Sequence, residues 1–174
     1  DKVVAHVDTK IGFPERSVGI FPGWGGILQH LIRHLEAGTA NPHQAVFDFA
    51  MSAVRLRTAY EAQDHCLLRS TDVVVASQQH LLETAIDLAK ELAETYQPPR
   101  ERTIPLYQGQ PLNRQVTGDA ADIKIGEGLA QLLSGVGQLT ETEFTEKSTQ
   151  LAFEVITNPA NTHRAQQAAA GHNR

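Results

Sequence analysis

The stretch that most constrains this chain is residues 12–26, Gly-Phe-Pro-Glu-Arg-Ser-Val-Gly-Ile-Phe-Pro-Gly-Trp-Gly-Gly. Pro14 fixes the backbone before Glu15, and Gly19 and Gly23 permit tight turns after it. The segment Pro22-Gly23-Trp24-Gly25-Gly26 then runs directly into a helical pattern. Ile27, Leu28, Leu31, Ile32 and Leu35 fall on one face at a 3.6-residue period. Residues 2–7 alternate and are partly β-branched, which predicts a short strand ahead of the turn. A carboxylate held between a strand and such a turn is partly desolvated, a setting suited to proton transfer. Free N–H groups where the helix opens can hold a water or an oxyanion. Without further information, the same residues also fit a surface carboxylate beside a helix-starting turn. The turn lacks the spacing and the Lys-Ser/Thr of a phosphate-binding loop.

Bulk properties narrow the class. With 174 residues and 41% hydrophobic content, the chain can bury a modest core of its own, or form part of a larger one plus an appendage. A net charge of −5, with no basic run, argues against a nucleic-acid or anionic-membrane surface. The single cysteine, Cys66, excludes an intrachain disulfide and fits a reducing, cytoplasmic setting. No apolar run approaches the roughly 20 residues that span a bilayer. The chain opens on Asp1 within a strand-like run and its only Met is Met51, which reads as a boundary inside a larger protein.

Along the chain, Asp8–Gly12 reads as a turn, and Gly38 as the stop of the first helix. Asn41-Pro42 starts a second helix that turns Ala45, Val46, Phe49, Ala50 and Ala53 inward. Thr58 and Glu61 have capping-box spacing and open a short third helix reaching about His65. Residues 72–76, Asp-Val-Val-Val-Ala, read as a buried strand. A long helix over 78–96 carries the stripe Leu81, Leu82, Ala85, Leu88, Ala89 and Leu92. Residues 97–119 hold four prolines and few apolar side chains, and read as a linker. A helical extension over 120–174 carries a second capping box, Thr140 with Glu143, and a second Asn-Pro start at 158–159. Its last residues, from 166 on, read as a fraying tail.

Phe13-Pro14-Glu15 and Pro22-Gly23-Trp24-Gly25-Gly26 together resemble the acid/base segment of the crotonase (enoyl-CoA hydratase/isomerase) superfamily. Ala62, Cys66-Leu67-Leu68, Val73–Val75 and the helix that follows continue the resemblance, which covers residues 1–96. Cys66 stands where that family usually has glycine, so the turn there is open to remodelling. Ala130–Gly135, Leu139-Thr140, the helix through Phe153-Glu154 and the ending His172-Asn173-Arg174 are similar to the C-terminus of long bacterial 3-hydroxyacyl-CoA dehydrogenases.

The resemblance implies the C-terminal part of a crotonase-type α/β fold, mostly helical, with a helical tail. It implies a piece of a β-oxidation enzyme that acts on acyl-CoA thioesters and hydrates 2-enoyl-CoA. A putative upstream dehydrogenase domain would bind NAD; this segment itself holds no cofactor and no metal. By the same resemblance Glu15 is the catalytic acid/base at the α-carbon, and the backbone of Gly23 holds the water. Phe21, Pro22 and Trp24 lie where substrate binds. The other glutamate and one oxyanion donor would precede Asp1, so the isolated segment is expected to be inactive. Isomerases of the superfamily keep the carboxylate matched by Glu15 and lose the other one, so hydratase and isomerase both stay open. An aspartate at the position of Gly23 marks dienoyl-CoA isomerases, and this chain has none. A rival reading is a non-catalytic assembly module of crotonase origin, and a homo-oligomer is expected in either case.

Other candidates are weaker. His30 and His34 lie four apart on a helix, but beside Arg33 and with no third ligand they read as a solvated face. Cys66 next to His65 reads as a small buried residue rather than a nucleophile. Trp24 fits a pocket lining or a core anchor equally. Arg100 and Arg102 read as solvated linker charges rather than partners of CoA phosphates.

Overall fold

A computed structural model describes residues 2–112, 116–159, 161, 166 and 170. In chain order the elements are β1 (Val4–His6), β2 (Ile11–Gly12), α1 (Gly26–Glu36), α2 (Pro42–Ser52), β3 (Arg55–Leu56), α3 (Ala59–Asp64), β4 (Val73–Val75), α4 (Leu81–Glu94), β5 (Thr103–Pro105), α5 (Ala120–Leu133), β6 (Gln138–Thr140) and α6 (Glu141–Ile156). The protein is α/β and about half helical, with three two-stranded sheets among the described residues. It divides into two units, residues 1–12 with 55–100 and residues 13–54 with 101–174.

In the first unit β1 runs parallel to β4, with Ala5 opposite Val74. Antiparallel to one another, β2 and β3 form a second pair, so residues 11–12 are a strand and not only the turn their sequence suggests. The Asp72 carboxylate stitches the parallel pair together: it accepts from the Val3 amide at 3.1 Å and from the Arg69 amide at 2.7 Å. Ala5, Leu56, Ala59, Ala62, Leu67 and Leu68 are buried. The strand expected to be buried, β4, is only half-buried along its length. Thr58 caps α3 by accepting from the Glu61 amide, but Glu61 reaches back to the amide of Arg57, one residue short of a closed capping box. The long helix α4 begins at Leu81, after a 3-10 turn at Gln78–His80, and none of its residues is buried.

In the second unit α1 packs on α2, α2 on α5, α5 on α6, and α6 on α1. The core is built from Phe21, Ile27, Leu31, Val46, Ile125, Leu129, Leu132, Leu133 and Phe144. Helix α2 turns His43, Val46, Phe47, Ala50 and Met51 inward, a face rotated from the one expected, and Phe49 is half-buried. His43 belongs to this buried face, its Nε2 2.7 Å from the Pro105 carbonyl. Within the proline-rich segment, β5 pairs antiparallel with β6 through Ile104 and Leu139, and Ile104 and Leu112 are buried. Arg102 is not merely solvated there: it forms ion pairs with Glu36 at 2.8 Å and Glu141 at 3.6 Å.

Both helices of the C-terminal extension start on closed capping boxes. Thr140 and Glu143 form one, as their spacing predicts, and Asp119 with Asp122 forms the other. The tail from 166 on lies almost wholly outside the described residues, as do His172, Asn173 and Arg174, and Asn158-Pro159 stands at their edge.

Candidate functional site

Glu15 opens a 3-10 turn, Glu15–Val18, that follows directly from the fixed backbone of Pro14. The turn closes on itself. Ser17 donates its amide to the Pro14 carbonyl at 2.9 Å and its hydroxyl to the same oxygen at 2.6 Å. Gly19 ends the turn at φ +72°, a left-handed conformation natural to glycine. The Ile20 amide then donates back to the Glu15 carbonyl at 2.9 Å. From far along the chain, the wholly buried Asn161 donates its Nδ2 to the Gly19 carbonyl at 3.1 Å. The Glu15 side chain is half-buried; its Oε2 is fully buried and has no hydrogen-bond partner among the described residues.

The glycine-rich turn packs hard against α6. A Cβ on Gly23 would come within 2.8 Å of the Ala152 Cβ, and the Ser148 hydroxyl lies 3.4 Å from the Gly23 carbonyl. The absence of a side chain at position 23 thus has a steric reason, close approach of a helix, independent of any role for its N–H. Gly26 makes the same allowance for Phe13, whose ring would meet a Cβ there at 2.6 Å. Gly25, at φ +81°, bends the chain into α1.

Phe21 and Pro22 are buried, Phe21 lying against the bare backbone of Gly128 on α5. Trp24 is 97% exposed, so it does not anchor α1 in the core. Its ring stands at the edge of an apolar groove of about 140 Å³, lined by Ile20, Phe21, Gly23, Ala152, Phe153 and Ile156. Three of the residues singled out from the sequence, Phe21, Gly23 and Trp24, therefore share one groove, and Glu15 is bonded through its carbonyl to Ile20 of the same groove.

Arg16, which sequence reasoning passed over, forms the most extensive polar contact of this region. Its guanidinium donates Nε to Asp122 Oδ1 at 2.8 Å, Nη1 to the Met51 carbonyl and Nη2 to the Thr117 carbonyl at 3.2 Å. Asp119-Ala-Ala-Asp122 has the spacing of a helix start, a signal for where Asp122 sits. No local signal pairs it with a residue 106 positions earlier.

His30 and His34 are buried rather than solvated, and their Nε2 atoms lie 3.1 Å apart. His34 Nδ1 meets Thr39 Oγ1 at 2.9 Å, and the rings of Phe13 and Phe49 cover His30. Helical spacing put both imidazoles beside Arg33, but Phe13, arriving from the signature turn, covers that side of the helix. Among the described residues no group of three or more His, Cys, Asp or Glu side chains could hold a metal. Cys66 is half-buried and adopts φ +55°, so the turn keeps the left-handed backbone that glycine would take without strain. Among the described residues no helix is long and apolar enough to cross a membrane.

No family model matches the chain. Over 101 residues it is 33% identical to a protein of Bacillus subtilis (strain 168) described as a probable 3-hydroxyacyl-CoA dehydrogenase. The aligned stretch takes in 56% of this chain and spans 13% of the length of that relative.

Proposed function

We propose that this chain is the acid/base segment of a crotonase-type site in a fatty-acid β-oxidation protein, with Glu15 exchanging a proton at the α-carbon of an acyl-CoA thioester. The observation that carries this reading is the buried Glu15 Oε2 without a hydrogen-bond partner among the described residues. A buried carboxylate oxygen is costly unless something satisfies it. A water or an acidic C–H of a thioester brought to it would do so. The rest of the turn is firmly bonded to itself, so the carboxylate is presented by a defined backbone. The likeness to a probable 3-hydroxyacyl-CoA dehydrogenase supports the pathway, because dehydrogenation of a 3-hydroxyacyl thioester consumes the product of enoyl hydration.

In hydration the water hydroxyl is added at C3 and a proton at C2, and Glu15 is the group that exchanges the C2 proton. The neighbouring groove suits the apolar part of a substrate, with Trp24 and Phe153 at its rim. Under this reading a second carboxylate and part of the oxyanion hole come from the rest of the parent protein, and the 174-residue chain alone does not turn over. The test is Glu15→Gln in the full-length parent, assayed with crotonyl-CoA. A side chain that transfers a proton in the rate-limiting step contributes about 10²–10⁴-fold, so the variant should lose hydration by that order while its fold persists. Unchanged hydration would sink the assignment.

A further inference from the structure

We propose that Arg16 and Asp122 act together as positioning residues for the Glu15 carboxylate, which makes the start of α5 part of the apparatus of the site. This rests on the acid/base reading of Glu15. Arg16 is the next residue of the same 3-10 turn, so fixing its guanidinium fixes the peptide that carries Glu15.

Three separate chain segments supply the acceptors, namely the end of α2 through Met51, the approach to α5 through Thr117, and the first turn of α5 through Asp122. A planar fork with several donors suits such a three-way contact, and a lysine ammonium does not reproduce it. Asp122 is itself immobilised, since it is 7% exposed and accepts from the Asp119 amide at 3.2 Å as the return arm of the capping box.

The backbone around Asp122 is shaped to leave room for its carboxylate. Gly118 adopts φ +139°, and a Cβ there would overlap Asp122 Oδ2. At the other end of the turn, the bond from Asn161 holds the Gly19 carbonyl. The Glu15 turn is therefore gripped on both sides by residues more than 100 positions away, while the carboxylate it carries keeps a buried oxygen without a partner among the described residues. Rigid fixation of the backbone beside an acid with one buried oxygen unpartnered among the described residues is the arrangement that holds a proton-transfer group in register with its substrate. A misplacement of about 1 Å can cost about 10²-fold in rate.

The experiment compares Arg16→Gln, Arg16→Lys, Asp122→Asn and the double variant Arg16→Gln/Asp122→Asn in the full-length parent, alongside Glu15→Gln. For each, kcat, KM and the pH profile with crotonyl-CoA are measured, together with amide hydrogen exchange at Gly19 and Ile20. The proposal expects kcat to fall about 10–100-fold with KM nearly unchanged. Arg16→Lys should rescue little, and the double variant should be no worse than the weaker single one. Faster exchange should appear at both amides.

If Glu15→Gln is inactive while Arg16→Gln and Asp122→Asn keep kcat and its pH profile, the positioning role is overturned and the acid/base reading stands. If Glu15→Gln retains hydration, the acid/base reading fails and the positioning role fails with it. Asp122→Asn preserves shape, so a kcat loss in that variant with an unchanged melting temperature supports positioning over a general loss of fold.

Discussion

Helices α4 and α5 have the same length, 14 residues, and both carry leucines at helical spacing, yet only one of them is built into a core. In α5, Ile125, Leu129, Leu132 and Leu133 are wholly buried, and Gly126 and Gly128 let Val116 and Phe21 approach its backbone. No residue of α4 is buried, and Leu82 is 70% exposed. A regular stripe therefore reports that a helix can pack, not that it is packed. What decides is whether side chains from elsewhere arrive, as Phe21 does at Gly128.

The largest expected effect sharpens that contrast. Leu129→Ala opens a cavity in a closed core and should cost about 2–5 kcal/mol, whereas Leu82→Ala should stay within about 0.5 kcal/mol. Denaturant unfolding of the two variants measures both, and equal losses would break the comparison.

A smaller effect concerns backbone rather than packing. Cys66 holds a left-handed conformation that costs an ordinary L-residue about 1 kcal/mol, and part of the relief from glycine is taken back in the unfolded chain. Cys66→Gly should thus be more stable than Cys66→Ala by about 0.5 kcal/mol, read from midpoints at a common slope; the reverse order would discount the strain.

The smallest effect lies at the start of α6. The Thr142 hydroxyl first, and then the Thr142 amide at 3.2 Å, hydrogen-bond the Glu101 carboxylate and lower its pKa from the ordinary value of 4.5. A carboxylate so lowered binds fewer protons folded than unfolded. Its contribution is present above 4.5 and is lost as pH falls through the folded value. Glu101→Gln should flatten the acid limb of the stability profile slightly and leave neutral pH nearly unchanged. A wild-type acid limb in the variant would remove Glu101 from the account.

The parts of this fold that could be read from the sequence are those set by near neighbours. The stripe of α1, the Asn41-Pro42 start of α2 and the Thr140–Glu143 box at α6 need only residues within a few positions, and the structure has all three. The strands β2, β3, β5 and β6 are two or three residues long and owe their identity to a partner, so no local periodicity announces them. The buried face of α2 includes a histidine, His43, held by a carbonyl 62 positions away, and no apolar pattern marks it. At the candidate site the sequence points to Glu15, Gly23 and Trp24 through their spacing. The guanidinium beside Glu15 and the alanine opposite Gly23 reach them only through the folded chain.

The two bonds that grip the Glu15 turn close loops of 106 and 142 residues. Loops of that length form late, because their closure entropy must be met before the contacts reward it. A chain emerging from the ribosome can form the turn early but cannot anchor it until Asp122 and then Asn161 have been made. The segment that carries the candidate acid is therefore made well before the two residues that set it.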